Sequence, residues 1–172
     1  MSKPTFAYVT YIATAPEKLW QALTDGNFTQ RYWAGIRLDS AWAPGASVTF
    51  RMDDEVYNTG VVLAYEPYRR LSYSWKVEIH EDFRRERPSR VTFELEPIGS
   101  EVKLTVTHDD FDPDSKVYES ISHGWPMVMA SLKSFLETGH GLAVSSREAA
   151  KCAKEKVIAR AGKRQLRQRA TT

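Results

Sequence analysis

The feature that most constrains the fold of this chain is a change of hydrophobic period near Asp114. Before Asp114, large apolar side chains alternate with polar ones, and after it they recur every three or four residues. The first pattern is typical of strands with one buried face, and the second of an amphipathic helix. The sequence therefore predicts an α+β protein in which antiparallel strands precede one long helix.

Alternation is clearest in three segments, which we predict as strands: Leu71–Val77, Val91–Leu95 and Val102–Thr107. Content of β-branched and aromatic residues predicts four more: Phe6–Ala13, Ile36–Ser40, Ser47–Met52 and Thr59–Glu66. Short turns rich in Pro, Gly and Asp join most of them, as antiparallel hairpins require. The charged segment Ile79–Ser89 is longer, and we expect it to be a mobile loop.

Two short helices are predicted between the first two strands. Thr14 lies at or near the N-cap of the first, with Pro16 in its first turn. Asn27 is placed to cap the second, Phe28–Trp33. The first helix is expected to bury one face, formed by Leu19, Trp20 and Leu23.

The long helix follows Asp114 and carries an apolar stripe formed by Tyr118, Ile121, Trp125, Val128, Leu132 and Phe135. Pro126 predicts a kink or a restart, and Gly139 predicts the C-terminal cap. A sheet with one wet face must cover the other, so we expect this helix to pack across it. Space left between helix and sheet would form a cavity, although a fully packed core fits the same pattern.

Four segments, in this order and spacing, resemble a known family: TYIATAPEKLWQALTD (10–25), GVVLAYEPYRRLSYSW (60–75), RVTFELEPIGSEVKLTVTH (90–108) and GWPMVMASLKSFLETG (124–139). The family is the bacterial group named after the activator of the heat-shock protein 90 ATPase, within the START/Bet v 1-like (SRPBCC) superfamily. The resemblance implies a helix-grip fold: a curved antiparallel sheet, two short helices after the first strand and a long C-terminal helix. It also implies a small hydrophobic ligand, since superfamily members bind lipids, hormones or polyketides. Some members are cyclases, aromatases or hydrolases.

Aromatic residues are abundant, with five Trp, eight Tyr and seven Phe. Trp and Tyr combine a large apolar ring with a polar group, which suits an amphipathic ligand. We expect the ligand to contact Trp33, Trp42, Phe50, Tyr57, Tyr73, Trp75, Phe93, Tyr118, Trp125 and Met129, with Phe83 as a further aromatic candidate. Filling of the core is the alternative role for each, and the two roles are evenly balanced for Trp75 and Trp125.

The most acidic segment is His108-Asp109-Asp110-Phe111-Asp112. A His and carboxylates can share a cation or a proton. We favour a solvated turn in which Asp112 caps the next helix, because adjacent strand residues point to opposite faces. His123 could face the cavity mouth as a general base, but a structural role is favoured because no partner is recognisable.

Other polar residues give no further motif. His80 and His140 are predicted at the surface, and Arg51 and Lys76 are expected to point outward rather than toward a ligand carboxylate. The four histidines lack zinc spacing, and the glycines form no phosphate-binding loop. We therefore predict no catalytic set, no metal site and no cofactor.

Charge divides the chain into two parts. Residues 144–172 hold nine Lys or Arg against two Glu, a net charge of +7, which leaves residues 1–143 at −5 within the overall +2. We predict a helix-grip domain over 1–142 and a basic tail over 143–172 that is disordered or helical over 146–161. Nucleic acid or an acidic surface could attract the tail, although a solvated extension is favoured and no aromatic residue interleaves its charges.

The N-terminus lacks the features of a signal peptide, and Cys152 is the only cysteine. No apolar run approaches the roughly 20 residues of a membrane helix. We expect a cytoplasmic protein without a membrane partner.

Three functions fit these patterns. The leading hypothesis is non-enzymatic binding of a hydrophobic or amphipathic ligand between the sheet and the C-terminal helix. The first alternative is a cyclase- or isomerase-like enzyme for an aromatic or polyketide substrate, using His123 or the Asp109–Asp112 group. The second is a protein-interaction module, co-chaperone-like or regulatory, with a protein partner or a second copy of the chain.

Overall fold

One seven-stranded antiparallel sheet carries the fold, in a computed structural model that describes residues 3–145 and residue 155. The strands are β1 (Phe6–Ile12), β2 (Arg37–Ser40), β3 (Ser47–Met52), β4 (Glu55–Glu66), β5 (Arg70–Val77), β6 (Ser89–Ile98) and β7 (Glu101–Asp109). The helices are α1 (Pro16–Thr24), α2 (Gly26–Tyr32), α3 (Glu81–Arg84) and α4 (Lys116–Thr138), followed by a 3₁₀ turn, Ala143–Ser145. This is the predicted α+β helix-grip arrangement.

Strand order in the sheet is β1-β7-β6-β5-β4-β3-β2. Strands β2 to β7 form a meander, and the first strand closes on the last, with Phe6 opposite His108. The register shifts in β3 between Phe50 and Arg51 and again in β4 after Val62, and such irregularities increase the local twist of a sheet. The result is the curved sheet that a single helix can cover.

Helix α4 lies against the sheet and closes the core. Its buried residues include Trp125, Met129 and Leu132, and they belong to the same apolar cluster as Phe93 of β6 and Leu104 of β7. The expected stripe on α4 is confirmed, with Tyr118 and Ile121 only partly buried near its N-terminal end. Leu19, Trp20 and Leu23 of α1 are buried as expected.

The predicted start of α1, with Thr14 at or near the N-cap and Pro16 in the first turn, is confirmed, whereas the predicted cap of α2 is wrong. Ala15 is the N-cap residue of α1 and makes no side-chain hydrogen bond, while Pro16 is the first helical residue. In α2, the Asp25 side chain accepts from the Asn27 backbone N–H at 2.8 Å, so Asp25 is the cap. The helix therefore begins two residues earlier than expected, with a carboxylate as its cap.

The start of α4 also differs from the prediction. Ser115, rather than Asp112, is the N-cap residue, and its hydroxyl accepts from the Tyr118 backbone N–H at 2.9 Å. Asp112 accepts instead from the Arg87 side chain at 2.7 Å. Asp112 therefore forms an ion pair with Arg87 and does not cap the helix.

Helix α4 runs through Pro126 without a restart and ends, as predicted, at Gly139 in the left-handed conformation. Pro126 removes one backbone hydrogen bond from the helix. Trp125 and Met129, which lie on either side of it in the sequence, are buried in the core and stabilise the helix there. The segment expected to be an unstructured loop contains α3 and leads into β6 at Ser89.

No helix in the described part of the chain is both long enough and apolar enough to cross a membrane. The tail helix predicted over 146–161 lies outside the described residues, apart from Glu155.

Candidate functional site

Three indole rings from three different parts of the fold meet between the sheet and α4. Trp33 follows α2, Trp75 lies on β5 and Trp125 on α4. The ring centroids of Trp125 are 5.3 Å from Trp33 and 5.7 Å from Trp75, and those of Trp33 and Trp75 are 6.1 Å apart. Such distances are typical of favourable aromatic contacts.

A second layer of aromatic residues packs against this cluster from the sheet. Phe50 lies 4.9 Å from Trp75, and Phe93 lies 5.7 Å from Trp125, measured between ring centroids. Tyr73 contacts both phenyl rings. All three side chains are fully buried, so at these positions aromatic packing fills the space between the sheet and the helix.

Two adjoining clefts remain open beside the N-terminal half of α4. One, of about 130 Å³, is lined by Trp33, Trp75, Ser120, Ile121, Gly124, Trp125 and Val128. The other, of about 210 Å³, shares Trp75, Ser120 and Ile121 and is completed by Asn58, Val77, Ile79, His80, Phe83 and Val117. We call the two together the Trp75 cleft, because Trp75 forms part of the wall of both.

Only some of the predicted ligand-binding residues line the Trp75 cleft. Trp33, Trp75 and Trp125 do, and so does Phe83. The other seven lie away from the cleft walls. Four of these are buried in the core: Phe50, Tyr73, Phe93 and Met129. The remaining three are partly buried: Trp42, Tyr57 and Tyr118. Contact of any of them with a ligand stays a prediction.

The three partly buried residues that do not line the cleft contact other parts of the protein. The Trp42 indole donates to the Thr24 carbonyl at 2.6 Å, and the Tyr57 hydroxyl lies 3.7 Å from Met52 Sδ. Tyr118 packs edge-on against Phe111.

Sequence reasoning missed the helical wall of the cleft. Ile121 and Val128 were identified only as core residues, and Ser120 and Gly124 lie next to them on the same side of α4. The ideal Cβ position at Gly124 has no atom within 4 Å, so this residue borders open space. A small residue inside an apolar stripe was the available signal.

The segment around α3 forms the outer wall of the cleft and is attached to the start of α4. Glu86 Oε1 accepts from the backbone N–H groups of Lys116 (2.9 Å) and Val117 (3.3 Å), and Glu86 Oε2 accepts from Ser115. Asp82 pairs with the Lys116 ammonium at 2.8 Å, which lowers the pKa of that carboxyl. These bonds satisfy free donors at a helix N-terminus with a carboxylate, a favourable arrangement.

His108 is buried rather than part of a solvated turn. Its Nδ1 accepts from the Trp125 indole at 3.0 Å, and its Nε2 lies 2.8 Å from the Ser89 hydroxyl. An indole nitrogen only donates, so Nδ1 carries no proton and Nε2 is the N–H that donates to Ser89. Burial lowers the pKa of His108 to about 3. The alternation of Val102, Leu104 and Val106 already placed His108 on the buried face, a signal that our interpretation overlooked.

The carboxylates beside His108 are engaged in ion pairs at the surface. Asp109 receives two bonds from Arg90, at 2.9 and 2.7 Å. Hydrogen bonds from Lys3 and the charge of Arg87 lower the pKa of Asp110. Within residues 3–145, no group of three or more His, Cys, Asp and Glu is arranged to hold a metal ion.

The remaining candidates lie at the surface or near it. His123 is exposed and does not line the cleft, so it does not lie at the mouth, the less favoured of its two predicted positions. His80 and His140 are exposed as expected, but His80 also borders the cleft beside Phe83. Arg51 is exposed, whereas Lys76 is half-buried and donates to the carbonyls of Arg84 and Glu86.

One buried polar atom of a residue that lines the cleft has no partner. Nε1 of Trp75 is shielded from solvent and makes no hydrogen bond, and the Trp75 side chain is 8% exposed overall. Buried donors are normally paired, so an exception calls for a physical explanation.

Residues 13–137 match the profile of the family described as activator of Hsp90 ATPase homolog 1-like protein. The chain belongs to this family. The match spans most of the chain and covers every element from α1 to α4, so the resemblance noted in the sequence is confirmed. No curated protein is significantly similar to the chain in sequence.

Solved structures agree with membership of the activator of Hsp90 ATPase homolog 1-like family. Protein MLL2253 from Mesorhizobium loti is 30% identical over 77% of this chain and 96% of its own, with a TM-score of 0.67. The Aha1 dimer from Colwellia psychrerythraea is 21% identical over 80% of this chain and 99% of that one, with a TM-score of 0.66. DynU16, from the dynemicin biosynthetic locus, is 19% identical over 80% of this chain and 48% of its own, with a TM-score of 0.65. The last two likenesses show the shared fold alone.

Proposed function

We propose that the chain binds a small, mainly apolar ligand in the Trp75 cleft and performs no chemistry on it. The observation that carries the proposal is a cleft with indole walls, on Trp33, Trp75 and Trp125, that stays open while the core beside it is tightly filled. Clefts with apolar walls and a few polar groups are the usual form of small-molecule sites.

The polar residues around the cleft favour binding over catalysis. Both ring nitrogens of His108 are engaged with Trp125 and Ser89, and the low pKa of the ring keeps it neutral. Asp109 and Asp110 are held in ion pairs. A general base must reach the proton that it removes, and these groups are committed elsewhere.

Gly124 provides a direct test of the cleft. A leucine at this position would project into space that is now open, in a helix that tolerates leucine well. We expect 1-aminoanthracene, a neutral fluorescent probe, to bind the wild-type protein saturably and Gly124→Leu about tenfold more weakly. His123→Leu is the matched control, because it adds the same side chain to an exposed neighbouring position.

The fluorescence titration should be accompanied by circular dichroism of all three proteins. Binding that is not saturable, or that is equal in wild type and Gly124→Leu, would contradict the proposal. Native mass spectrometry of protein purified from its own host would then identify the class of any bound small molecule.

Self-association is a second candidate function, supported by one feature of the sheet. β1 is an edge strand, and Val9 and Tyr11 on it are 49% and 53% exposed. Exposed apolar side chains on an unpaired strand edge favour contact with another chain. The similar Aha1 protein was determined as a dimer. Light scattering of wild type and Tyr11→Lys would test this candidate, since only the substitution should give a monomer.

A cytoplasmic location remains part of the proposal.

A further inference from the structure

We infer that the ligand is uncharged and presents a hydrogen-bond acceptor, of the ketone or quinone type, to Nε1 of Trp75. This inference rests on the proposed function and narrows the chemical class of the ligand. It starts from the buried indole N–H that no protein group satisfies.

The chemistry of the indole determines what can complete the site. Trp Nε1 donates one hydrogen bond and accepts none, so only an acceptor can pair with it. Among buried side-chain nitrogens in the part of the chain that the structure describes, Nε1 of Trp75 alone has no partner. Because Nε1 is shielded from solvent, the ligand must displace a neighbouring side chain to reach it.

The closest polar ring cannot serve as the acceptor. The His108 ring centroid lies 5.4 Å from that of Trp75, but His108 Nδ1 already accepts from Trp125. Nε2 carries the proton that it donates to Ser89. The same network that keeps His108 neutral thus leaves Trp75 without a partner.

The charge of the walls decides between neutral and ionic acceptors. Neither part of the cleft is lined by Lys, Arg, Asp or Glu, and its one titratable residue, His80, is exposed. Burying a carboxylate or phosphate there would cost its hydration with no counter-charge to compensate. The aromatic walls favour an unsaturated ring beside the acceptor. An aryl ketone, a quinone or an enone meets all three requirements.

Two probes of the same shape isolate the hydrogen bond. 2-Acetylnaphthalene and 2-isopropenylnaphthalene differ by a carbonyl oxygen in place of a CH₂ group. We expect the wild-type protein to bind the ketone about fivefold more tightly, the size of effect that one neutral hydrogen bond gives. Trp75→Phe should remove this preference. Trp20→Phe is the matched control, because Trp20 is buried but does not line the cleft, and it should keep the preference.

Nuclear magnetic resonance of the ¹⁵N-labelled wild-type protein gives a second measurement that does not depend on the folding of a variant. The Trp75 indole signal should move downfield with the ketone and much less with the alkene. The anion 2-naphthoate should bind at least about tenfold more weakly than the ketone.

The outcomes separate the two proposals. If neither the naphthalenes nor 1-aminoanthracene bind, the proposed function fails together with the inference. If 1-aminoanthracene binds and neither naphthalene does, the inference alone is overturned. If both bind equally to the wild type, or if the preference persists in Trp75→Phe, the inference alone is overturned. An unmoved Trp75 indole signal in the ketone complex, or tight binding of 2-naphthoate, would also overturn it.

Discussion

The Trp125 indole donates to His108 Nδ1 at 3.0 Å and so joins α4 to β7 through two side chains that are 3% and 0% exposed. The bond fixes the tautomer of His108, whose Nε2 then donates to the Ser89 hydroxyl at 2.8 Å on β6. Ser89 in turn lies 3.4 Å from the Trp75 carbonyl of β5. One neutral histidine therefore connects the helix to three strands.

Neutrality of His108 predicts a loss of stability in weak acid. Burial lowers its pKa from 6.5 to about 3 in the folded protein, so between these values the unfolded chain binds a proton that the folded one does not. The stabilising contribution is complete above about pH 7 and is lost as the pH falls from 6.5 toward 3, at about 1.4 kcal/mol per pH unit. Urea unfolding at pH 7, 6 and 5 measures this slope.

His108→Gln is the control for the pH prediction, because glutamine offers a donor and an acceptor without titrating. We expect this variant to be less stable at pH 7 but to have a shallower slope between pH 6 and 5. An equal slope in both proteins would show that other groups cause the acid sensitivity.

Truncation of Trp125 should be among the most damaging single changes. Trp125→Ala removes a side chain that contacts Trp33, Trp75 and Phe93, and should cost about 3–5 kcal/mol. Trp125→Phe keeps much of the apolar area but leaves His108 Nδ1 without its donor, at about 1–3 kcal/mol. Thermal unfolding followed by circular dichroism gives the order, and a melting temperature unchanged in Trp125→Ala would refute the packing described here.

Loss of the Glu86 carboxylate should destabilise the start of α4. Glu86→Ala removes acceptors for two backbone N–H groups and for the Ser115 hydroxyl, and we expect a loss of about 1–2 kcal/mol. Hydrogen exchange at Lys116 and Val117 should accelerate. Glu81→Ala is the control, because Glu81 is exposed and pairs only with Arg85 among the contacts described for it. Equal effects of the two substitutions would contradict the capping role.

Two glycines near α4 should respond oppositely to a methyl group. Gly124→Ala adds a Cβ in open space within a helix and should stabilise the fold by about 0.5–1 kcal/mol. In Gly141→Ala the Cβ would lie 2.8 Å from the Arg31 carbonyl oxygen and 2.9 Å from Ser131 Oγ, so we expect destabilisation. Chemical denaturation of both variants tests the sign of each effect.

Removal of the tail after Leu142 should leave the domain folded. The Leu142 backbone N–H still donates to Ser131 Oγ at 2.9 Å, which keeps the chain after α4 in place. We expect the protein of residues 1–142 to melt within a few degrees of the full chain in circular dichroism. An unfolded or insoluble product would show that the proposed domain boundary at 142 is wrong.

Periodicity predicted the elements of the fold well, because a wet face and a buried face leave a direct mark on the sequence. Strand β3 matches the prediction at both ends, and the stripe on α4 lies where it was expected. The caps could not be predicted in the same way. Whether Thr14 or Asp112 reaches a backbone N–H depends on side-chain dihedrals and on distant partners such as Arg87.

The candidate site was predicted only in part, for a geometric reason. Tyr73 and Trp75 are two residues apart on β5 and share one face, yet Trp75 lines the cleft and Tyr73 is enclosed. Alternation identifies the face of a strand but not which positions along that face border open space. The unpaired Trp75 N–H and the His108 network depend on contacts between elements that are distant in sequence, which alternation does not specify.

Closure of β1 onto β7 sets the order of events during synthesis. Phe6 and His108 are roughly a hundred residues apart, so β1 leaves the ribosome many seconds before its partner strand at usual elongation rates. Until then its exposed Val9 and Tyr11 have no native neighbour strand beside them. Of the strands in this sheet, β1 therefore waits longest for its partner, and during that time its apolar side chains can contact chaperones or other nascent chains.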